Sequence, residues 1–252
     1  MSNKTSIEWT ERTWNPTTGC TKISPGCAHC YAEVMAKRLQ AMGVQGYENG
    51  FQLSLVPKRL DEPLKRKKPT VYFVNSMSDL FHEEIPDSYL LKVLTVIRQS
   101  PQHTFQILTK RAERMETFFA CEKPPQNVWL GVTVENREHG LPRIEILRRI
   151  SAAVRFVSAE PLLEDLGVFN IDGIHWVIVG GESGPNARPM REEWALSIKE
   201  LCEKQQIAFF FKQWGSWGVD GKKRGKKQNG RLLEGRIWDA APHPCNIQQV
   251  SV

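Results

Sequence analysis

Residues 104–134 read TFQILTKRAERMETFFACEKPPQNVWLGVTV, and this stretch decides the fold. TFQILT and VWLGVTV are short runs of mainly β-branched, aromatic and other apolar residues, which is typical of buried parallel strands. RAERMETFFA lies between them and is interpreted as a helix. A strand, a helix and a second strand in this order form a β/α unit, for which a right-handed crossover is expected.

The same alternation continues in both directions along the chain. Upstream, a strand is predicted from Val71 and a helix from Ser88. Downstream, the sequence predicts a helix with Pro142 near its start, strands from Val154, His175 and Ile207, and the helix REEWALSIKELCEKQ. Six strand candidates downstream of residue 70 alternate with helices or connectors and indicate an α/β fold with a parallel sheet or barrel. Residues 1–19 are interpreted as an irregular or short-strand segment that precedes them.

Length, composition and charge limit the classes of protein that fit. At 252 residues the chain suits one large domain or two small ones. No apolar run approaches the roughly 20 residues of a membrane span, and the amino terminus is polar, so the sequence predicts a cytoplasmic protein without membrane contact. The net charge of +6 favours an anionic partner such as nucleic acid.

Three of the six cysteines lie in WNPTTGCTKISPGCAHCYA, residues 14–32. Cys20, Cys27 and Cys30 cannot all pair as disulfides, but three thiolates can hold three irons of a four-iron cluster and leave the fourth iron open. Structural zinc, with His29 or a distant residue as a further ligand, is the competing interpretation. A helix is predicted from Tyr31 to Gly43, with an apolar side formed by Val34, Met35, Leu39 and Met42.

Polar residues follow each predicted strand, where a buried strand has no need of them. The carboxyl ends of parallel strands meet at one edge, so these residues predict a polar mouth on one face of the sheet or barrel. They are Asn75, Ser76, Ser78, Asp79, His82, Glu83, Glu84, Thr109, Lys110, Arg111, Thr133, Glu135, Asn136, Ser158, Glu160, Gly180, Gly181, Glu182, Ser183, Asn186, Arg188, Lys212, Gln213 and Trp214.

Taken together, the motifs resemble the radical S-adenosylmethionine (SAM) superfamily. Within it, the chain is similar to a phage-associated, largely uncharacterised three-cysteine family over about residues 6 to 217. SMSD and LTKR are also similar to the spore photoproduct lyase branch, whose members work on DNA. Six residues separate Cys20 from Cys27, where three are usual in the superfamily. The matching motifs are WNPTTGC, CAHCYA, NSMSDLFHEEIP, LTKR, WLGVTVEN, SAEPLL, VIVGGESGPNARPM and FFKQWG.

The resemblance implies a partial (β/α)6-type parallel barrel and two cofactors, a [4Fe-4S] cluster and SAM. Cys20, Cys27 and Cys30 would hold the cluster. The amino group of SAM would meet Ser76, Ser78 and Asp79, and its carboxylate would meet Lys110. Thr133 and Glu135 fall where the ribose is usually held, and His29 would lie near the adenine. In this superfamily one electron from the reduced cluster cleaves SAM to a 5'-deoxyadenosyl radical, which abstracts a substrate hydrogen.

Glu160, Glu182, Arg188, Lys212 and Trp214 come from later strands and are the candidates for substrate contact. The leading hypothesis is a radical SAM enzyme of lyase, isomerase or transferase type that modifies or repairs a nucleic acid base or nucleotide. An electron donor such as flavodoxin or ferredoxin is its second expected partner. A non-catalytic nucleic-acid-binding protein with a structural zinc or cluster is the alternative, and a peptide or metabolite substrate also stays open.

The domain prediction places the barrel and its cluster loop in residues 1–217 and a basic loop and tail in 218–252. The basic runs at 65–68 and 222–227 are interpreted as solvated loops, and the second loop is expected to be mobile. The alternative interpretation is that these lysines and arginines contact phosphate groups. Trp214 and Trp217 are candidates for stacking on a base.

Overall fold

The computed structural model describes residues 5–242, and it shows an α/β fold. The strands are β1 Arg12–Trp14, β2 Thr17–Thr18, β3 Ser54–Leu55, β4 Val71–Val74, β5 Thr104–Thr109, β6 Val128–Thr133, β7 Val154–Ala159, β8 Trp176–Gly180 and β9 Ala208–Gln213. The helices are α1 Tyr31–Ala41, α2 Asp87–Arg98, α3 Ala112–Cys121, α4 Arg137–Arg149, α5 Glu192–Lys204 and the short α6 Lys226–Asn229.

Seven strands form the main sheet in the order β1-β4-β5-β6-β7-β8-β9. Pairing is parallel between β1 and β4, β4 and β5, β7 and β8, and β8 and β9. The seven strands lie in the sheet in the order in which they occur along the chain, without the reversal that marks a doubly wound sheet. This sequential order, with β1 and β9 as edge strands, is that of a partial β/α barrel, and the predicted fold class is confirmed.

The main sheet contains β1 in addition to the six strands predicted downstream of residue 70. β1 comprises three residues that pair with β4 in the register Arg12 to Tyr72. It lies in the segment for which the sequence left an irregular conformation and a short strand open, and its pairing identifies it as a strand. β2 and β3 form a separate antiparallel ribbon, in which Thr17 pairs with Leu55.

The helices form where apolar residues recur at helical spacing. In α2, Leu90, Val93, Leu94 and Ile97 are all at most 2% exposed, the three-and-four spacing of one buried helix face. In α4, Pro142 lies inside the helix, whereas the sequence pattern placed it near the start because the first turn, from Arg137, is polar.

The chain divides into two compact units. The first comprises the residues up to Ile23 together with Cys30–Gly131 and Ile150–Ala153. The second comprises Ser24–His29, Val132–Arg149 and the chain from Val154 onward. Aromatic residues anchor both cores: Trp14 and Phe105 lie edge to face in the first unit, and Trp176 and Phe210 do so in the second.

Helix α1 buries a face that shares only Leu39 with the apolar side predicted from the sequence. Its buried residues are Ala32 and Ala36, which pack with Tyr47 and Met77, and the partly buried Leu39 packs against them. Val34 and Met42 are 70% and 68% exposed, and Met35 is also exposed. The prediction is therefore confirmed for Leu39 and wrong for the other three residues.

The basic segment after β9 forms local structure where the sequence favoured a loop. Trp217 and Lys223 pair as an antiparallel bridge, and the Gly218 amide donates to the Lys222 carbonyl. Trp214 is 2% exposed, packs edge to face on Phe211 and donates its indole N–H to the Leu232 carbonyl. The suggestion that Trp214 stacks on a substrate base is therefore wrong for this conformation, whereas Trp217 remains half-buried.

Across residues 5–242, none of the helices combines the length and the apolar character needed to cross a membrane.

Candidate functional site

In the first unit, the strand-end residues converge on the carboxylate of Asp79, which is 7% exposed. Its Oδ1 accepts hydrogen bonds from the Thr109 hydroxyl at 2.7 Å and the Phe81 amide at 3.0 Å. Its Oδ2 accepts from the Lys110 amide at 3.1 Å and from Arg111 Nη1 at 3.3 Å. The residues after β4 and β5 therefore meet as the sequence predicted, but both Asp79 oxygens are already engaged.

Arg111 connects this carboxylate to the beginning of the cysteine loop. Its Nη1 donates to Cys20 Sγ at 3.5 Å, and its Nη2 donates to the hydroxyl of Thr21 at 2.7 Å and to the Thr21 carbonyl at 3.3 Å. Its Nε donates to Glu83 Oε2 at 2.7 Å. Burial opposes the charged guanidinium, but Asp79 and Cys20 outweigh it and raise the pKa of Arg111. A permanent positive charge therefore lies beside the Cys20 thiol, where it favours the thiolate.

His82 and Glu83 complete this network from the other side of Thr21. The His82 ring is buried, its Nδ1 accepts from the Glu84 amide at 3.2 Å, and its Nε2 lies 3.0 Å from the Thr21 hydroxyl. Burial, and then the Arg111 charge, lower the pKa of His82. For Glu83, partial burial works in the opposite direction, but its own backbone amide and Arg111 lower its pKa to about 2. The network thus combines a neutral imidazole with a charged carboxylate and guanidinium.

A second group of hydrogen bonds ties the end of β4 to the segment before Cys20. Asn75, at φ 59°, donates from Nδ2 to the Thr17 hydroxyl at 2.7 Å, and its Oδ1 is buried with no hydrogen-bond partner among the described residues. Ser78 donates to the Thr17 carbonyl at 2.9 Å, and Ser76 donates to Asn15 Oδ1 at 3.2 Å. The two serines predicted to receive an amino group therefore already bond to protein.

Lys110 differs from its neighbours. Its backbone amide bonds to Asp79, but its side chain is partly exposed, and its Nζ makes no hydrogen bond or ion pair within the described part of the chain. A cation that balances no protein carboxylate is available to an anionic ligand group.

In the second unit, each of three strand-end carboxylates is paired with a cation. Arg143 Nη1 donates to Glu135 Oε2 at 2.7 Å, with side chains 6% and 0% exposed. Lys212 Nζ lies 3.0 Å from Glu160 Oε1, with side chains 18% and 14% exposed, and Ser158 also donates to Glu160. The third pair is Arg188 with Glu182, whose side chains are 32% and 6% exposed.

The Glu182 pair has the most hydrogen bonds of the three. Arg188 donates its backbone N–H and Nε to Oε2, at 2.8 Å and 2.9 Å, and Nη2 to Oε1 at 2.6 Å. His29 Nδ1 lies 3.3 Å from the same Oε2, and Arg188 Nη2 also donates to the Pro25 carbonyl at 3.0 Å. Burial opposes ionisation of Glu182, but the bonds from Arg188 and His29 outweigh it and lower the pKa of Glu182.

Gly26 lies flat against the side chain of Glu135. A Cβ atom at Gly26 would come within 3.2 Å of Cβ, Cγ and Cδ of Glu135, tighter than ordinary van der Waals contact. Glycine is therefore the residue that lets this part of the cysteine loop approach the carboxylate.

Cys20, Cys27 and Cys30 form no disulfide bond among the described residues and are of intermediate exposure, and Cys30 is the residue that precedes the first turn of α1. Within residues 5–242, no group of three or more His, Cys, Asp or Glu side chains is arranged to hold a metal ion. The chemistry of the donor set nevertheless fits an iron–sulfur cluster, since the three thiols are unbridged and a guanidinium contacts one of them.

Thr17 and Arg143 are among the residues of these networks that sequence reasoning missed. Thr17 accepts from Asn75, and Arg143 balances Glu135 from the second turn of α4. A buried arginine in a helix whose neighbours are apolar, Ile144 and Ile146, is a signal that could have indicated a buried carboxylate partner for Arg143.

Fold and site define an α/β protein with sequentially ordered strands, whose polar residues meet at strand ends within each unit. The chain belongs to the family described as "Protein of unknown function (DUF5131)", whose model matches residues 4–242. No curated protein matches the chain.

Two solved structures match this chain, and both are of spore photoproduct lyase. One, a mutant with bound AdoMet and dinucleoside spore photoproduct, is 10% identical with a TM-score of 0.44 over 71% of this chain and 58% of that one. The other, complexed with dinucleoside spore photoproduct, is 10% identical with a TM-score of 0.46 over 81% of this chain and 64% of that one. The chain thus spans about three fifths of the length of the structures it matches.

Proposed function

We propose that this protein is a radical SAM enzyme whose [4Fe-4S] cluster is held by Cys20, Cys27 and Cys30. The observation that carries the proposal is the cysteine loop between β2 and α1, with three cysteines within eleven residues that form no disulfide among the described residues, and with the Arg111 guanidinium against the first. Three thiolates leave one iron of a four-iron cluster without a protein ligand, as binding of a cofactor to that iron requires.

When bound, the cluster supplies the electron that cleaves SAM to a 5'-deoxyadenosyl radical, and a flavodoxin or ferredoxin is the class of protein that delivers that electron. The chain supplies binding and orientation. Lys110 is the best candidate for the SAM carboxylate, because its ammonium group has no partner within residues 5–242.

One of the remaining SAM contacts requires rearrangement. Asp79 accepts hydrogen bonds on both carboxylate oxygens, so receiving an amino group there means exchanging one of those bonds. Ser76 and Ser78 donate their hydroxyl protons to protein acceptors, and their oxygens keep lone pairs that can accept from an amino group. The unpartnered Oδ1 of Asn75, at the end of the same strand, is an acceptor that needs no such exchange. Thr133 and Glu135 on the ribose, and His29 near the adenine, complete the proposed contacts.

We assign the substrate to nucleic acid or a nucleotide because of the basic segment after β9. Residues 215–242 contain seven Lys and Arg against three Asp and Glu, which is a net charge of 7 − 3 = +4. Lys222, Lys226 and Lys227 are exposed and pair with no carboxylate of the described residues, so their charges are free for phosphate. Glu160 and Lys212 are the proposed groups on the substrate side of the site.

Cleavage of SAM by the reduced, reconstituted protein tests the assignment of the cysteines. Replacing any one of Cys20, Cys27 or Cys30 by Ala is expected to abolish formation of 5'-deoxyadenosine. The matched control is Cys121→Ala, which removes an exposed thiol outside the loop and is expected to leave the rate unchanged. Undiminished cleavage by a Cys27→Ala protein contradicts the assignment.

Binding of a labelled oligonucleotide at several salt concentrations tests the substrate class. A protein with Lys222, Lys226 and Lys227 replaced by Gln is expected to reduce the salt slope of log K by about 2 to 3, because each phosphate contact contributes about 0.7 to 0.9. A second variant, with Lys65, Lys67 and Lys68 replaced by Gln, measures how much the other basic run contributes to the salt slope. A salt-independent affinity contradicts the nucleic acid assignment, and a peptide or metabolite then becomes the substrate to test.

A further inference from the structure

We propose that Glu182, Arg188 and Glu135 are positioning residues that hold the segment Ser24–His29 and thereby fix the Cys27 thiol. The reason for fixing Cys27 rests on the proposed function, in which Cys27 binds the cluster. The contacts themselves lie within the second unit and do not depend on that function. In this proposal the Glu182 and Arg188 side chains hold the protein's own cysteine loop. The sequence had suggested instead that these two residues contact the substrate.

Three contacts hold the segment, one on each of three of its residues. Arg188 Nη2 donates to the Pro25 carbonyl at 3.0 Å. The Gly26 backbone lies against the Glu135 side chain, where a Cβ would approach to 3.2 Å. His29 Nδ1 is 3.3 Å from Glu182 Oε2. Cys27 lies between these fixed points and closes a short 3-10 turn from Pro25, with Sγ 3.8 Å from the Ser24 hydroxyl.

The holding residues are themselves rigidly placed. Glu182 receives three hydrogen bonds from Arg188, and its carbonyl accepts from the Ser216 amide at 2.8 Å. Glu135 is fully buried, and Arg143 bonds to it at 2.7 Å. Charge-assisted and bidentate bonds of this kind are stronger and more directional than neutral ones. Both carboxylate oxygens of Glu182 are engaged in this way, so that side chain is suited to support and has little capacity left for a substrate.

The same contacts explain the long spacing between Cys20 and Cys27. The six intervening residues are Thr21 to Gly26, and the last three of them belong to the second unit. Pro25 and Gly26 make two of the three contacts, so the residues beyond the usual three provide the surface that Arg188 and Glu135 hold.

Thiol alkylation of the protein without iron tests the proposal independently of the radical chemistry. The rate at which iodoacetamide modifies Cys27 is measured by peptide mass spectrometry in the full chain, with Cys20 as the internal reference. Arg188→Met is expected to raise the Cys27 rate about tenfold, the factor that corresponds to ~1.4 kcal/mol, near the lower end for hydrogen bonds to charged groups. The Cys20 rate is expected to stay constant, because Arg111 holds that part of the loop.

The matched control is Arg224→Met. Arg224 also forms a two-bond pair with a carboxylate in the second unit, at 2.8 Å and 2.6 Å to Asp220, but it makes no contact with Ser24–His29 among the described residues. Its removal is expected to leave the Cys27 rate unchanged. Arg188→Lys retains the positive charge but cannot form the two-bond guanidinium contact with Glu182, so it is expected to give an intermediate Cys27 rate. This variant is used for the test if Arg188→Met fails to fold.

An unchanged Cys27 rate in folded Arg188→Met protein overturns the proposal, as does an equal rise at Cys20 and Cys27, which indicates general loosening. A selective rise at Cys27 supports the positioning role even in a protein that takes up no iron. In that case the structural inference stands while the proposed function fails, so the two outcomes are distinguishable.

Discussion

The strand ends of the two units carry similar residues but connect them differently. In the first unit, Asp79, Arg111, His82, Glu83 and Thr21 form one continuous network that reaches Cys20. In the second unit, the three carboxylates each have their own cation, as Glu135 has Arg143, Glu160 has Lys212 and Glu182 has Arg188. A network couples its members, whereas separate pairs allow each site to change with limited effect on the next.

The largest effect is expected from Arg111→Met in the first unit. It removes five side-chain hydrogen bonds and leaves the buried Asp79 carboxylate without its cation. We expect the free energy of unfolding in urea to fall by about 3 to 5 kcal/mol, the range for removing one partner of a buried ion pair. As the control, Arg98→Met breaks a pair whose side chains are 44% and 33% exposed and is expected to cost below about 1 kcal/mol.

A second variant examines whether the pairs of the second unit are independent. Arg143→Met removes two hydrogen bonds, to Glu135 and to the Thr133 carbonyl, and is expected to cost about 3 kcal/mol. Adding Glu135→Gln is expected to restore about 1 to 2 kcal/mol, because it removes the charge that Arg143 balanced. The corresponding addition of Asp79→Asn to Arg111→Met is expected to restore little, since Asp79 also accepts from Thr109, Phe81 and Lys110.

Equal recovery in both units, measured by the same urea unfolding, contradicts the contrast between network and pairs.

The smallest effect concerns pH. The pKa values of Glu83 and Glu182 are lowered in the folded protein, so each carboxylate contributes stability that is fully present above its ordinary pKa of 4.5 and is lost as pH falls through the folded value. The stability difference between wild type and Glu182→Gln is therefore expected to shrink as the pH falls below 4.5. For Glu83→Gln the difference is expected to persist further, toward about pH 2. Thermal unfolding across this range measures both, and a pH-independent difference contradicts the assignment of these charges.

The local elements were predictable because their signals are local. β5 was predicted over the residues it occupies, Thr104–Thr109, from a single apolar run between polar flanks. For the segment that contains β1 the sequence left a short strand and an irregular conformation open, because only pairing with β4 defines β1 as a strand of the sheet. For α1, the hydrophobic pattern was right for Leu39 but wrong for Val34 and Met42, since the packing of Ala32 and Ala36 depends on which surface the helix meets.

The site was predictable as a set of residue types but not as a set of partners. Strand-end position correctly brought Asp79 together with Thr109 and Arg111. The contact between His29 and Glu182 joins residues 153 positions apart, and no spacing rule in the sequence relates them. Pairing among several carboxylates and several cations depends on side-chain geometry, which appears only once the chain is folded.

Anaerobic reconstitution with iron and sulfide, followed by metal analysis and electron paramagnetic resonance with and without SAM, tests the central claim most directly. The account predicts ~4 irons per chain, bound through Cys20, Cys27 and Cys30, and a signal of the reduced cluster that changes when SAM is added. Stoichiometric zinc with no iron uptake, or a cluster whose signal is indifferent to SAM, contradicts it.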